Sequence, residues 1–170
     1  MDQEKVRKLS KRLLPLIALH QLFEQVTKDP GAGSADDGEK RNQGAPMKKI
    51  TTPNAPAAIG PYSQAVVTGS LLFTSGQIAL LPATGDFLNG DITQQTQQVL
   101  KNLDAILAEA GSSWDRVVKT NVLLMDMNDY ATFNHIYEQH LNGARPARMT
   151  CAVAGLPKGA RIEIDLVAEV

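Results

Sequence analysis

Three polar residues stand where a strand or a tight turn would hold them still. Arg148 lies in Arg145-Pro146-Ala147-Arg148-Met149-Thr150, where the chain turns strand-like after a proline. A guanidinium fixed there can grip a carboxylate through parallel hydrogen bonds that an ammonium cannot match. Glu163 sits between Ile162 and Ile164, where a carboxylate can serve as general base or acid toward water. Tyr62, in Ile59-Gly60-Pro61-Tyr62-Ser63-Gln64, is held in a restricted turn and can present its hydroxyl to a ligand. Each has a plainer reading. A strand-end arginine is usually solvated or salt-bridged, an acid on an alternating strand usually faces water, and a tyrosine is often a hydrogen-bonded core residue. Asn134, in the middle of an expected helix, can simply face solvent.

Other chemistries lack their patterns. There is no CxxC pair, no HExxH and no GxxxxGK phosphate loop. His135 and His140 are five residues apart on one expected helix and His20 is remote, so no zinc site is indicated. No nucleophile elbow supports a serine triad. Neither a metal nor a cofactor is expected.

The elements that must position these residues follow from patterning. Lys49–Thr52 is a short strand-like start, and Gln64–Thr68, Gly69-Ser70 and Leu71–Ser75 read as a β-hairpin. Between Asp91 and Ala110, Ile92, Val99, Leu103, Ile106 and Leu107 share one helical face, with Gly111 as a stop. Val117–Met125 is strand-like. A second helix spans about Asn128 to Leu141, where Tyr130, Phe133, Tyr137 and Leu141 recur at helical spacing and Asn142-Gly143 ends it. Strands follow near Arg148–Ala154 and Arg161–Ala168, the latter alternating apolar and acidic residues. The order predicts an α+β domain, one mixed sheet covered by two helices on one face. An apolar uncovered face would favour an oligomer.

Composition changes near residue 46. Residues 28–46 (KDPGAGSADDGEKRNQGAP) hold no large apolar side chain and read as a flexible linker. Ahead of it, residues 1–27 read as an amphipathic helical extension, with Val6, Leu9, Leu13, Leu16, Ile17, Phe23 and Val26 at helical spacings and Pro15 as an interruption. This helix is a partner-binding peptide, a targeting segment, an appended helix on its own oligomer, or a tail without a role. Lys5, Arg7, Lys8, Lys11 and Arg12 suit a mitochondrial presequence, whereas Asp2, Glu4 and Glu24 do not. A cytoplasmic location is the expectation. A net charge of −1 among 170 residues does not call for nucleic acid or a membrane as partner. The single cysteine, Cys151, cannot form an internal disulfide.

Taken together, the sequence contexts are more specific than the single residues. Residues 47–170 resemble the RidA/YjgF family of imine deaminases over about three-quarters of the chain. The resemblance rests on Ala57-Ala58-Ile59-Gly60-Pro61-Tyr62-Ser63-Gln64-Ala65, Thr74-Ser75-Gly76-Gln77-Ile78, Val118-Lys119-Thr120-Asn121-Val122, and Pro146-Ala147-Arg148 followed by Leu156-Pro157-Lys158-Gly159 and Ile162-Glu163-Ile164. It implies a chorismate-mutase-like α+β fold with a six-stranded mixed sheet, a homotrimer with clefts between subunits, and cofactor-free hydrolysis of enamine/imine intermediates such as 2-iminobutanoate and 2-iminopropanoate to 2-oxo acids and ammonia. It also implies that Arg148 binds the substrate carboxylate, Glu163 positions or activates water, and Tyr62 completes the site. Asn134 and the backbone at Gly76 would line the cleft.

The resemblance is incomplete at one point. Where bacterial relatives often carry cysteine, two positions after the signature arginine, this chain has Thr150, which would then contact substrate. Cys151 is expected on the opposite side of that strand as a buried small residue. Met149 is bulkier than the small residue expected there. Three rival readings compete with the deaminase: a carboxylate-binding module without catalysis, a ribonuclease or translation inhibitor, and a trimeric scaffold displaying the N-terminal helix. A pure binder has less use for Glu163. The neutral charge and the lack of an aromatic-basic pattern disfavour nucleic acid.

Overall fold

The computed structural model describes residues 46–170. The expected helical extension over residues 1–27 and the linker over 28–46, Pro46 apart, lie outside the described residues. Among the described residues, six strands and two α-helices run in the expected order: β1 (Lys48–Ile50), β2 (Ala65–Thr68), β3 (Leu71–Thr74), α1 (Ile92–Glu109), β4 (Val117–Leu124), α2 (Tyr130–Leu141), β5 (Ala147–Ala152) and β6 (Ile162–Glu169). The sheet order is β1-β2-β3-β6-β4-β5. Only β4 and β5 are parallel, and α2 is the crossover that a parallel pair requires. β5 is therefore an edge strand, shorter at its C-terminal end than the expected Arg148–Ala154.

Local signals set the element ends. The Asp91 carboxylate accepts from the Gln94 backbone N–H at 2.8 Å, and the Gln94 side chain accepts from the Asp91 N–H at 3.1 Å, closing a capping box at the start of α1. Gly111, at φ +75°, supplies the left-handed residue that stops it. Before α2 the chain makes a single 3-10 turn, Met127–Asp129, in which the Asp126 carboxylate accepts from the Asn128 N–H. The helix therefore begins at Tyr130, slightly later than apolar spacing suggests.

Ile92, Val99, Leu103, Ile106 and Leu107 of α1 pack on Leu72, Val122, Leu124, Ile162, Ile164 and Leu166 of the sheet, with Phe133, Tyr137 and Leu141 of α2 completing the core. Burial alternates along β4 and β6, so Ile162, Ile164, Leu166 and Ala168 face the helices while Glu163, Asp165 and Val167 face the other way. That open face carries Phe73 paired with Val167, Asp165 with Asn121, Glu163 with Leu123, and Leu123 with Cys151. Cys151 is thus half-buried on the open face and not enclosed as the sequence suggested. Phe73 and Met149 stay 39% and 44% exposed there.

Candidate active site

Strand register decides where the two charged candidates go. Arg148 pairs with Thr120 and Thr150 with Val122, both buried against the helices. Val122 also pairs with Ile164, and the next residue, Leu123, pairs with Glu163. Paired residues share a face and neighbours alternate. Arg148 therefore lies on the helix-covered face and Glu163 on the open one. One subunit cannot bring them to a common substrate.

Arg148 is built into α2. Its Nη2 donates to Asn134 Oδ1 at 2.7 Å and to the Tyr130 hydroxyl at 3.1 Å. Its guanidinium carbon lies 4.9 Å from the ring centre of Tyr137, 5.4 Å from Phe133 and 5.9 Å from Tyr130, within the range of cation–π attraction. The Tyr137 ring is itself pinned, because its hydroxyl shares a 2.9 Å hydrogen bond with Thr120 on β4. Burial pushes the Tyr137 hydroxyl pKa upward against the opposing pull of that bond and of Arg148, so it stays protonated at neutral pH. Asn134, Tyr137, Leu141, Pro146 and Arg148 line a cavity of about 270 Å³ that is open to solvent. Thr150 does not line it; its Oγ1 is buried and has no hydrogen-bond partner.

Glu163 is the centre of the second cluster. It lines a cleft of about 310 Å³ with Tyr62, Gly76, Ile59, Ile78, Leu80 and Lys158, among others. Gly76 lies directly beneath the carboxylate. A Cβ there would overlap Glu163 Oε1 and come within 2.8 Å of its Cδ, so only glycine leaves room. Burial, and then the neighbouring Asp165 carboxylate, raise the Glu163 pKa above the ordinary glutamate value. Asp165 is partly engaged by Asn121, whose Nδ2 donates to it at 2.9 Å. Tyr62, half-exposed, rises from the Ile59–Tyr62 turn, where its hydroxyl accepts a long 3.4 Å bond from the Ile59 N–H.

The turn carrying Tyr62 is anchored from below. The buried Gln64 side chain accepts from the Thr52 N–H at 2.7 Å and donates to the carbonyls of Thr52, Ala55 and Pro56. Ser75 Oγ donates to the Ser63 carbonyl at 2.6 Å. Gln77 exchanges backbone hydrogen bonds with Ile164, tying the Gly76 segment to β6 beside Glu163. On the other rim, Lys158 adopts a left-handed conformation at φ +58° in the Pro157–Gly159 turn.

Of the residues singled out in sequence, Arg148 and Asn134 meet in one cluster and Tyr62, Gly76 and Glu163 in another. Sequence reasoning took Tyr130, Phe133 and Tyr137 for an apolar stripe and missed their part around Arg148. The signal was present: with Asn134 they occupy positions i, i+3, i+4 and i+7 of one helix face. Gln64 and Lys158 were not singled out at all. Among the described residues there is no cluster of three or more potential metal ligands, and no helix is long and apolar enough to cross a membrane.

Comparison with known proteins places the chain in a family. The sequence profile of the family described as Endoribonuclease L-PSP matches residues 52–170. The 2-iminobutanoate/2-iminopropanoate deaminase of Mus musculus is 49% identical over 121 residues, covering 71% of this chain and 90% of the mouse protein. Among solved structures, RidA from the Antarctic bacterium Psychrobacter superposes with a TM-score of 0.69 at 41% identity, covering 72% of this chain and 99% of that one. E. coli TdcF with bound serine superposes with a TM-score of 0.69, also at 41% identity, covering 72% of this chain and 98% of TdcF.

Proposed function

The chain belongs to the RidA/YjgF family, that of the Endoribonuclease L-PSP profile, and from that premise we propose that it hydrolyses 2-imino acids such as 2-iminobutanoate and 2-iminopropanoate to 2-oxo acids and ammonia. The observation that carries this reading is that the chain holds both an Arg148 guanidinium fixed by Asn134 and, in a separate cleft, a partly desolvated Glu163 over Gly76. A protonated imine is already electrophilic, so a carboxylate anchor and a base for water are the main requirements. Arg148 holds the substrate carboxylate. Glu163, ionised, takes a proton from the attacking water as its oxygen bonds to the imine carbon. Glu163 gives that proton to the nitrogen of the resulting carbinolamine, and ammonia leaves as the hydroxyl oxygen forms the C=O bond. The hydroxyl proton passes to solvent, which leaves the 2-oxo acid and an ionised Glu163, with Tyr62 closing the cleft.

Because Arg148 and Glu163 occupy opposite faces of one sheet, the working site joins Arg148 of one subunit to Tyr62, Gly76 and Glu163 of a second. A homotrimer closed through the open sheet faces meets this need and covers Phe73, Val167 and Met149. The mammalian relatives are named for the deaminase and the family profile for an endoribonuclease; the near-neutral charge and the lack of a basic-aromatic pattern in the sequence favour the deaminase. The test generates 2-iminobutanoate in situ with a threonine dehydratase and follows its decay with and without the protein. Acceleration that Arg148→Ala abolishes is the expected result. No acceleration by the intact protein removes the reading.

A further inference from the structure

Arg148 spends two of its donors inside its own subunit. Both hydrogen bonds leave from Nη2, one to Asn134 and one to Tyr130, so the donors left for a ligand are those of Nε and Nη1. These lie on opposite edges of the guanidinium and offer a carboxylate a directed single contact in place of a parallel pair. The rings of Tyr137 and Phe133 support the guanidinium, and the Thr120 bond holds the Tyr137 ring in place. An unrestrained arginine loses rotamer entropy when it binds a carboxylate; one already fixed in plane and direction has lost it on folding. Tyr130 has a separable part in this arrangement. Its ring belongs to the helix packing, stacking edge-on against Phe133 at 6.1 Å, whereas its hydroxyl, among the described residues, bonds Arg148 alone. Removing that oxygen leaves the ring and frees one guanidinium hydrogen.

We propose that Tyr130 is a positioning residue, acting through its hydroxyl to aim Arg148 at the carboxylate of a small acid ligand. The inference rests on the deaminase reading for the identity of that acid, but not for the coupling between the two side chains.

The experiment is a double-mutant cycle on the full-length protein, with Tyr130→Phe made in the native and Arg148→Lys backgrounds. KM and kcat are read with 2-iminobutanoate, and Kd with 2-oxobutanoate as a stable probe. In the native background, Tyr130→Phe raises KM and Kd about 3- to 10-fold, the loss of one modest hydrogen bond, with kcat within about 2-fold. In the Arg148→Lys background the same substitution changes neither, because a lysine ammonium does not have the fork that Tyr130 holds. A ligand-free arm follows the Arg148 guanidinium nitrogens by NMR: separate Nη signals in the native protein broaden toward each other in Tyr130→Phe, because rotation quickens when one of its two hydrogen bonds is lost. An unchanged KM and Kd overturns the proposal, as does an equal rise in both backgrounds, which marks a purely structural effect. Native protein that binds 2-oxobutanoate but does not hydrolyse the imine overturns the deaminase reading and leaves the cycle to decide Tyr130 through Kd. Native protein that does neither overturns both.

Discussion

Arg148 and Glu163 are both half-buried strand residues, yet their surroundings differ in kind. Arg148 is finished by its own subunit: two hydrogen bonds and three aromatic rings hold it, all from α2. Glu163 has its space cleared by Gly76 and its neighbour Asp165 nearby, but burial and that like charge disfavour its ionised form. In the proposed mechanism the anchor is prepared to stay where it is, while the base is kept reactive at some expense to stability. A positioned cation gains from being bonded in part by its own chain, with donors left over for a ligand, whereas a general base works best with a pKa brought toward the working pH.

The sharpest way to break this contrast is to separate the two residues onto different subunits. Glu163→Gln should lower kcat by about 10²- to 10⁴-fold, the range of a lost general base. Arg148→Ala should lower kcat/KM by about 10²-fold, as expected when a charge-paired contact is lost. Refolding the two inactive variants together should restore about a quarter of native activity, since a random mixture places an intact Arg148 opposite an intact Glu163 at about one interface in four. A mixture no more active than its parts would mean that the two residues do not meet across subunits.

Gly76→Ala should be the next largest effect. Its methyl must displace the Glu163 carboxylate, so kcat should fall by about 10-fold or more while KM changes little, as for a misplaced base. The same substitution should leave 2-oxobutanoate binding intact if the anchor and the base are independent.

Gln64→Leu tests the support under Tyr62. It leaves the Thr52 N–H and three carbonyls without their buried partner, at a cost of about 1–3 kcal/mol in denaturant unfolding. Steady-state kinetics should show a smaller loss of activity than for Gly76→Ala.

The smallest effect is a pH dependence of stability. The folded Glu163 pKa is raised, so its contribution to stability is full below the ordinary glutamate range and is lost as pH rises through the raised value. Glu163→Gln has no charge to bury. Its melting temperature should equal or trail that of the native protein at acid pH and exceed it at neutral pH, the gap opening from the ordinary glutamate range upward. A gap that is constant with pH would show that Glu163 ionises without penalty. Activity should move oppositely, rising with pH through that same value, because the base form does the work.

Much of the architecture is legible in the sequence. The apolar faces of α1 and α2, the Gly69-Ser70 hairpin turn and the alternation of Ile162 to Leu166 each report a local period, and each was found where expected. The motifs around Arg148, Glu163 and Tyr62 pointed to the family whose profile matches residues 52–170. The residues around Arg148 were harder to see. Tyr130, Phe133 and Tyr137 have the same spacing whether their stripe only fills a core or also holds a cation, and sequence periodicity does not distinguish the two. Gln64 escaped because its four partners lie 8 to 12 residues away along an irregular loop. Cys151 was placed on the correct side of its strand, but that side is half-exposed in one subunit, because burial there depends on what covers the open face.

The sequence by itself determined the elements, their order, the family and the list of polar residues worth testing, because these depend on local periodicity and on motif identity. Tertiary structure decided which of those residues belong together. The parity of β4, β5 and β6 put Arg148 against the helices and Glu163 on the opposite face. A shift of one residue in either pairing would reverse that outcome. The alternation around Glu163 already turns it away from the core, but the face that Arg148 takes follows from register, which is set by contacts between strands distant in the chain and has no local pattern around Arg148 to encode it.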